Sequence, residues 1–300
     1  MADGTSRFNR LVAKKVALAE EAMIGHLTTL AVSPTLAGER TIGNVWTHEH
    51  YDGSFHLADL PEDIPATSLV FVESRDGDTD AVDPDTLGGG AIDKHLIYEG
   101  LSRVAADAVL TGASTARSVD TFFSVWHPQL VALRESLGLP RHPVQIMVSN
   151  RGEIDLSTVL FNVPSVPVIV LAGAECRRRW TEAFESRPWL TVVPLAGRGL
   201  AEAFEELRRG HGIRRISAVG GRRTATALVD AGLVQDVLLT TTNRRAGRPG
   251  TPFYSGATWP RLDPVVTKTT ESAPDPIVFR RLLIRADRRS SASTSQTAGA

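Results

Sequence analysis

The chain has 300 residues, 42% of them hydrophobic, and a formal net charge of −1, so it can bury one large core or two modest ones. A balance of 33 basic against 34 acidic residues leaves no electrostatic footprint for a polynucleotide. No apolar run reaches the roughly 20 residues that span a bilayer, and the single cysteine, Cys176, excludes an internal disulfide and any multi-cysteine metal centre. The opening Met-Ala-Asp-Gly-Thr-Ser-Arg-Phe lacks the apolar core of a signal peptide. A cytoplasmic protein with no membrane and no nucleic-acid partner is expected.

Apolar side chains at Leu11, Val12, Val16, Ala19, Met23 and Leu27 lie on one helical face, which predicts a helix over about 9–30. Residues 33–63 break into Gly, Pro, Thr and His-rich sequence, read as an irregular extension or lid. Ser68–Glu73 reads as a buried strand, and a polar loop through Gly88-Gly-Gly90 follows. A helix from about Asp93, with Asp93 as N-cap, runs to Ala105. Strands follow at 108–111, 144–149, 166–171 and 190–193, with helices near 128–137, 175–186 and 199–209. Ile213–Thr242 reads as strand, Gly220-Gly221 turn, helix, glycine stop at Gly232, and a strand from Asp236. The partly alternating Ile277–Ile284 suits an antiparallel edge strand. Alternating strands and helices predict an α/β domain with a mostly parallel sheet over 65–287. Residues 1–64 form an N-terminal extension, and the small-residue-rich 288–300 a disordered tail.

Three strand ends carry residues suited to an anionic ligand. Gly220-Gly221 permits close backbone approach at a helix start. Ala108-Val-Leu-Thr-Gly-Ala-Ser-Thr115 ends in Gly112 and two hydroxyls. Ile146-Met-Val-Ser-Asn-Arg151 ends in a hydroxyl and a guanidinium whose planar fork matches phosphate oxygens. In open α/β sheets, ligands bind beyond the carboxyl ends of the strands.

In this order the segments resemble the pyrimidine reductase domain of bacterial riboflavin biosynthesis, the reductase half of the bifunctional deaminase-reductases. Glu73-Ser-Arg-Asp-Gly77 is similar to that family's Ser-x-Asp-Gly turn, and Ala106–Thr115 to its Ala-Asp-Ala-Val-x-x-Gly-x-x-Thr segment. Val148–Gly152 resembles its Ser-containing turn. Val219-Gly-Gly221 through Ala231-Gly-Leu-Val-Gln-Asp236 resembles its Glu-Gly-Gly helix and the Gly-Leu-Val-Asp-Glu beyond.

The resemblance implies a dihydrofolate-reductase-like three-layer α/β fold, a mostly parallel mixed sheet flanked by helices with an N-terminal helical extension, and a homodimer. It also implies NADPH, held by Gly112, Ser114, Thr115, Ser149, Arg151, Gly220, Gly221, Arg222 and Thr224, with Ser149 and Arg151 on the 2′-phosphate. Ser74 and Asp120 fall among the implied substrate contacts. Asp76 is the candidate catalytic group, or else an aspartate that caps the Asp76-Gly77 turn.

The sequence departs from the family at Val219, where a glutamate stands, and after Asp120, where Thr121-Phe-Phe-Ser-Val-Trp-His-Pro128 replaces an arginine-containing phosphate loop. The deaminase zinc signature is absent. The expected activity is hydride transfer to a small heterocyclic or ribosylamine substrate, the alternatives being reduction of a pteridine or other imine or carbonyl compound, or a catalytically silent nucleotide-binding homologue. Thr47-His-Glu-His-Tyr-Asp52 with nearby His56 has metal-ligand residue types but is read as a polar loop over the active site, with no metal expected.

Overall fold

Seven parallel strands form one side of a ten-stranded sheet, and three antiparallel strands complete the other. The computed structural model describes residues 2–81, 84–116, 118–195, 197–270 and 276–285. The 288–300 tail predicted above lies outside them. The strands are β1 (Thr28–Val32), β2 (Thr41–Ile42), β3 (Phe55–His56), β4 (Ala66–Glu73), β5 (Ala108–Gly112), β6 (Val144–Ser149), β7 (Val168–Ala172), β8 (Leu190–Pro194), β9 (Arg215–Ala218), β10 (Asp236–Thr241), β11 (Arg261–Thr269) and β12 (Val278–Arg285). The helices are α1 (Ala2–Glu20), α2 (Val45–Tyr51), the single turn α3 (Gly90–Ile92) running into a π-helix (Asp93–Leu101), α4 (Pro128–Ser136), α5 (Ala174–Glu185), α6 (Leu200–Arg209) and α7 (Arg222–Asp230).

The sheet order is β1-β11-β12-β10-β4-β9-β5-β6-β7-β8, and β2 pairs with β3 apart from it. From β10 to β8 every neighbouring pair is parallel. Central strands buried on both faces need near-continuous apolar runs, and β5 and β7 are buried at every position. On one face Leu69, Leu110, Ile146, Leu171 and Ala218 pack under Phe204 and Leu207 of α6 and Ala225 and Leu228 of α7. On the other, Val70, Val109 and Leu238 lie beneath Leu96, Ile97 and Leu101 of the π-helix and Leu130 and Leu133 of α4.

The first 64 residues contribute to that second face directly. Leu27, Leu36, Tyr51 and Phe55 join the same cluster, and the ring of Phe55 lies so close to Gly100 that a Cβ there would stand 2.9 Å from its Cζ. The guanidinium of Arg281 on β12, 1% exposed, donates to Asp236 of β10 at 2.6 Å and to both carboxylate oxygens of Glu39 at 2.6 and 3.1 Å. A buried cation is tolerated when it is paired and hydrogen-bonded in this way.

Several local expectations are revised. α1 starts at Ala2 and stops at Glu20; Met23, counted on its inner face, is 94% exposed, and Leu27 is buried from an extended segment leading into β1. The His-rich stretch read as a loop over the active site folds as α2 against the π-helix, with His56 lining a small cavity at the amino ends of β4, β9 and β10. Asp93 is no N-cap: helix begins at Gly90, and Asp93 sits inside it, buried. β12 is antiparallel as expected but interior, because β11 and β1 add beyond it. Pro264 falls at the bulge in β11, and that break in the pattern hides the strand from a sequence reading.

Candidate active site

Parallel strands deliver their carboxyl ends to one side, and the turns there touch. β9 leads through Val219, Gly220 and Gly221 into α7, whose N-cap is Gly221 in an extended conformation with no side-chain cap. First-turn amides of a helix have no intrahelical acceptor, so this end of α7 presents N–H groups and the positive end of the dipole. The Gly221 amide donates to Thr115 Oγ1 at 3.0 Å, joining the turn after β9 to the turn after β5. Thr224 wedges between the two glycines: a Cβ on Gly220 would lie 2.9 Å from its Cβ, and one on Gly112 would collide with its Oγ1. Glycine at both positions is therefore a packing requirement, and it lets α7 start directly against β5. Ser114 and Thr115 remain exposed beside it.

One strand further on, Gly112 pairs with Val148, and the Ala113 amide donates to Val148 O at 3.3 Å. Ser149 is 5% exposed, its Oγ accepting from Gly152 N at 3.1 Å and sharing a hydrogen bond with the Cys176 thiol, whose pKa is raised by burial. Gly152 takes a left-handed φ of 71° to close that turn. The Ser149 hydroxyl is thus engaged within the protein, while Arg151 is exposed. Arg222 is partly committed as well, its Nε donating to Pro252 O at 2.7 Å.

On the opposite flank, the turn after β4 is closed by buried Ser74, whose Oγ accepts from the amides of Asp76 and Asp78 at 3.3 Å each. Asp76 is exposed and faces Arg245 at 3.9 Å. The segment after β10 binds this turn firmly: Arg75 N donates to Arg244 O, and Thr251 N to the buried carboxylate of Asp78 at 2.8 Å. Asp120 is directed to α1, where Arg7 donates to its Oδ1 at 2.8 and 3.0 Å. The glycines, Ser114, Thr115 and Thr224 therefore form one contact set. Ser149 and Arg151 flank it, Ser74 and Asp76 lie on the far side of β9, and Asp120 is occupied by the N-terminal helix.

Two further carboxyl groups lie near these strand ends, beyond the residues that the sequence motifs point to. Glu73, the last residue of β4, accepts from Thr241 Oγ1 at 2.7 Å, and burial raises its pKa. Asp93, 5% exposed, has its pKa raised to about 7 by burial, which outweighs the lowering influence of the Thr240 hydroxyl of β10, and its Oδ1 has no partner. A carboxyl shifted to titrate near neutral pH and set in a π-helix is the kind of perturbed group that marks functional sites. Val219, at the family's glutamate position, is 7% exposed and packs in the apolar cluster beneath the π-helix.

Such a sheet, mostly parallel and flanked by helices on both faces, is a mixed α/β fold of the dihydrofolate-reductase-like type. The family model described as the RibD C-terminal domain matches residues 78–270, and the chain belongs to that family, a reductase family that works with a nicotinamide cofactor. Among solved structures it is similar to a pyrimidine reductase-like protein from Corynebacterium diphtheriae, with 22% identity, a TM-score of 0.59, and coverage of 74% of this chain and 93% of that one. It is also similar to the diaminohydroxyphosphoribosylaminopyrimidine deaminase/5-amino-6-(5-phosphoribosylamino)uracil reductase from Thermotoga maritima, with 16% identity, a TM-score of 0.52, and 74% and 57% coverage. Riboflavin biosynthesis reductase Rib7 from Saccharomyces cerevisiae matches at 15% identity and a TM-score of 0.50 over 75% and 93%. The chain thus spans a little over half of the bifunctional Thermotoga protein. No curated protein matches it in sequence. At these identities the structural likeness establishes the fold. No described helix is long and apolar enough to cross a membrane.

Proposed function

We propose that the protein is an NADPH-dependent reductase that transfers a hydride to a pyrimidine ribosylamine or a related small heterocycle. The observation that carries this reading is the Gly112–Thr224–Gly220 packing, which brings the uncapped start of α7 against the turn after β5. These residues fit a dinucleotide: the unobstructed Gly221 and a nine-residue helix with an uncapped N-terminus suit a diphosphate. Gly220, Gly221, Thr224 and the exposed Ser114 and Thr115 would hold it, with Arg222 steadying the turn. Arg151 carries the charge for a 2′-phosphate, and the Ser149 hydroxyl shapes the loop that presents it. Bound there, the dihydronicotinamide supplies the hydride, and the protein's share is orientation, exclusion of water and management of one proton.

For the proton, Asp76 is the sequence candidate, but its exposure and its pairing with Arg245 leave it an ordinary surface carboxylate. Asp93 holds a proton near neutral pH, where a general acid is most effective, and it takes that role in this proposal. Ser74 shapes the substrate-side turn. Residues 65–287 carry the catalytic unit and residues 1–64 complete its second face. A cytoplasmic homodimer and a small-molecule substrate belong to the same reading.

A second reading is favoured by Val219: an apolar, buried side chain where the family has a carboxylate removes a polar contact, which fits a different imine or carbonyl substrate, a pteridine included, or a nucleotide-binding homologue without turnover. NADPH oxidation followed against aminopyrimidine ribosylamine, pterin and simple imine substrates separates them. Turnover of the ribosylamine supports the first reading, turnover of another class the second, and NADPH binding without oxidation the silent homologue.

A further inference from the structure

The histidine-rich segment of α2 is not used by the reductase site, and the structure brings it against a third imidazole from outside the motif. His26, between α1 and β1, lies over α2 so that ligand atoms of His26, Glu49 and His50 all fall within 4.8 Å of one another. The strap is fixed in place by Leu27, whose amide donates to His50 O at 2.8 Å and whose side chain is buried.

The hydrogen bonds of the two rings settle their tautomers. Nδ1 of His26 lies 3.0 Å from the main-chain oxygen of Glu49, and Nδ1 of His50 lies 3.0 Å from that of Trp46. A carbonyl oxygen only accepts, so each Nδ1 carries its hydrogen, and each neutral ring keeps a free lone pair on Nε2. Donation of the second ring nitrogen to a backbone carbonyl is the supporting arrangement found behind metal-bound histidines. Trp46 stacks on His50 at 4.6 Å and on His127 at 4.3 Å, which restrains the His50 ring. His26 stacks on His50 at 4.7 Å with the ring planes 20° apart, so its ring must turn out of the stack before both Nε2 lone pairs, which lie in the ring planes, can meet at one ion; the exposure of His26 and Glu49 leaves room for that turn. His50 lies in the last turn of α2, where the helix dipole favours a cation. His48 and His56 take no part: the first meets Ser54 Oγ at 2.8 Å, and the second lines the cavity at the amino ends of the strands.

We infer that His26, Glu49 and His50 bind a divalent transition-metal ion of the zinc type, clipping the strap before β1 to α2. Two neutral imidazoles and one carboxylate form a zinc donor set with one position left for water. Metal–nitrogen distances of about 2.0–2.1 Å require the donors to draw closer than they now stand and the His26 ring to rotate off His50, movements that fall on the exposed Glu49 and His26. The inference does not depend on the reductase reading.

The test is titration of the metal-stripped full chain with Zn2+ by calorimetry and with Co2+ by visible absorption. One ion per chain is expected, with the intense d–d bands of a four-coordinate cobalt site. His26→Ala and Glu49→Gln should each weaken Zn2+ by about tenfold or more, and His48→Ala should leave it unchanged. Because His26 is exposed, His26→Ala keeps the fold, and an unaltered Tm in EDTA confirms it. No saturable binding, equal affinity in His26→Ala, or the same loss in His48→Ala would overturn the site.

Discussion

The Oγ1 of Thr224 occupies the place where a side chain on Gly112 would begin, so the first turn of α7 is seated against the end of β5 by one hydroxyl. The same threonine approaches Gly220 through its Cβ and Cγ2, at 2.9 and 3.0 Å from a virtual Cβ there. The two contacts are separable. Gly112→Ala should be destabilising by about 1–3 kcal/mol through overpacking and should weaken NADPH, and adding Thr224→Ala should recover most of both. Gly220→Ala should gain little from Thr224→Ala, because the Cβ remains. Denaturant midpoints and NADPH affinity of the four variants check this.

Arg151 is exposed at the end of the Ser149–Gly152 turn, beside the glycine set. If it meets the 2′-phosphate, Arg151→Ala should lower affinity for NADPH by about tenfold or more, the loss of a charge-assisted contact, and leave NADH unchanged. Thermal shift with each dinucleotide reads the difference, since selective binding stabilises the fold by mass action. An equal response to both removes the assignment.

Asp93 sets a pH dependence of definite sign. Its usual value of 3.8 becomes about 7 in the fold, so the folded protein binds this proton more tightly than the unfolded chain. Its contribution to stability is greatest below about pH 4, falls as pH rises to about 7, and is constant above, up to about 4 kcal/mol for a full shift of that size. Asp93→Asn should therefore stabilise the protein more at pH 8 than at pH 5, as chemical denaturation at the two values would show. If Asp93 donates the proton, kcat/KM should fall above pH 7 in the parent, and this limb should vanish in Asp93→Asn together with most of the rate.

The parallel sheet was legible because its strands are short apolar runs bounded by glycine and polar turns, and β6 was read at its observed bounds. The turn residues at Gly112, Gly220 and Gly221 were legible for the same reason: a strand followed by glycine and a helical period has few other meanings. Asp93 reads as a cap from sequence, because no pattern distinguishes an aspartate at a helix start from one inside a helix that begins three residues earlier. Thr240, whose hydroxyl bears on it, is 147 residues away along the chain, and the burial that shifts Asp93 exists only after folding. The juxtaposition of His26 and His50 is likewise hidden, because the apolar spacing carries the expected first helix to about residue 30, past His26, whereas α1 stops at Glu20.

Asp120 was expected to meet substrate, yet its carboxylate is held by Arg7 in a half-exposed pair. Surface pairs of this kind contribute at most about 1 kcal/mol. Asp120→Ala should thus barely move Tm. Steady-state kinetics then decides its role: an unchanged KM leaves Asp120 as a tether for α1, and a large rise restores it to the substrate pocket.

The Arg281–Glu39–Asp236 triad joins the N-terminal segment to β10 and β12. Removing the first 64 residues would leave the guanidinium facing Asp236 alone, in a cavity newly opened to solvent, and would strip the aromatic cover of Tyr51 and Phe55 from the sheet. A chain shortened to residues 65–287 would therefore lose one wall of its own interior and should be recovered as aggregate.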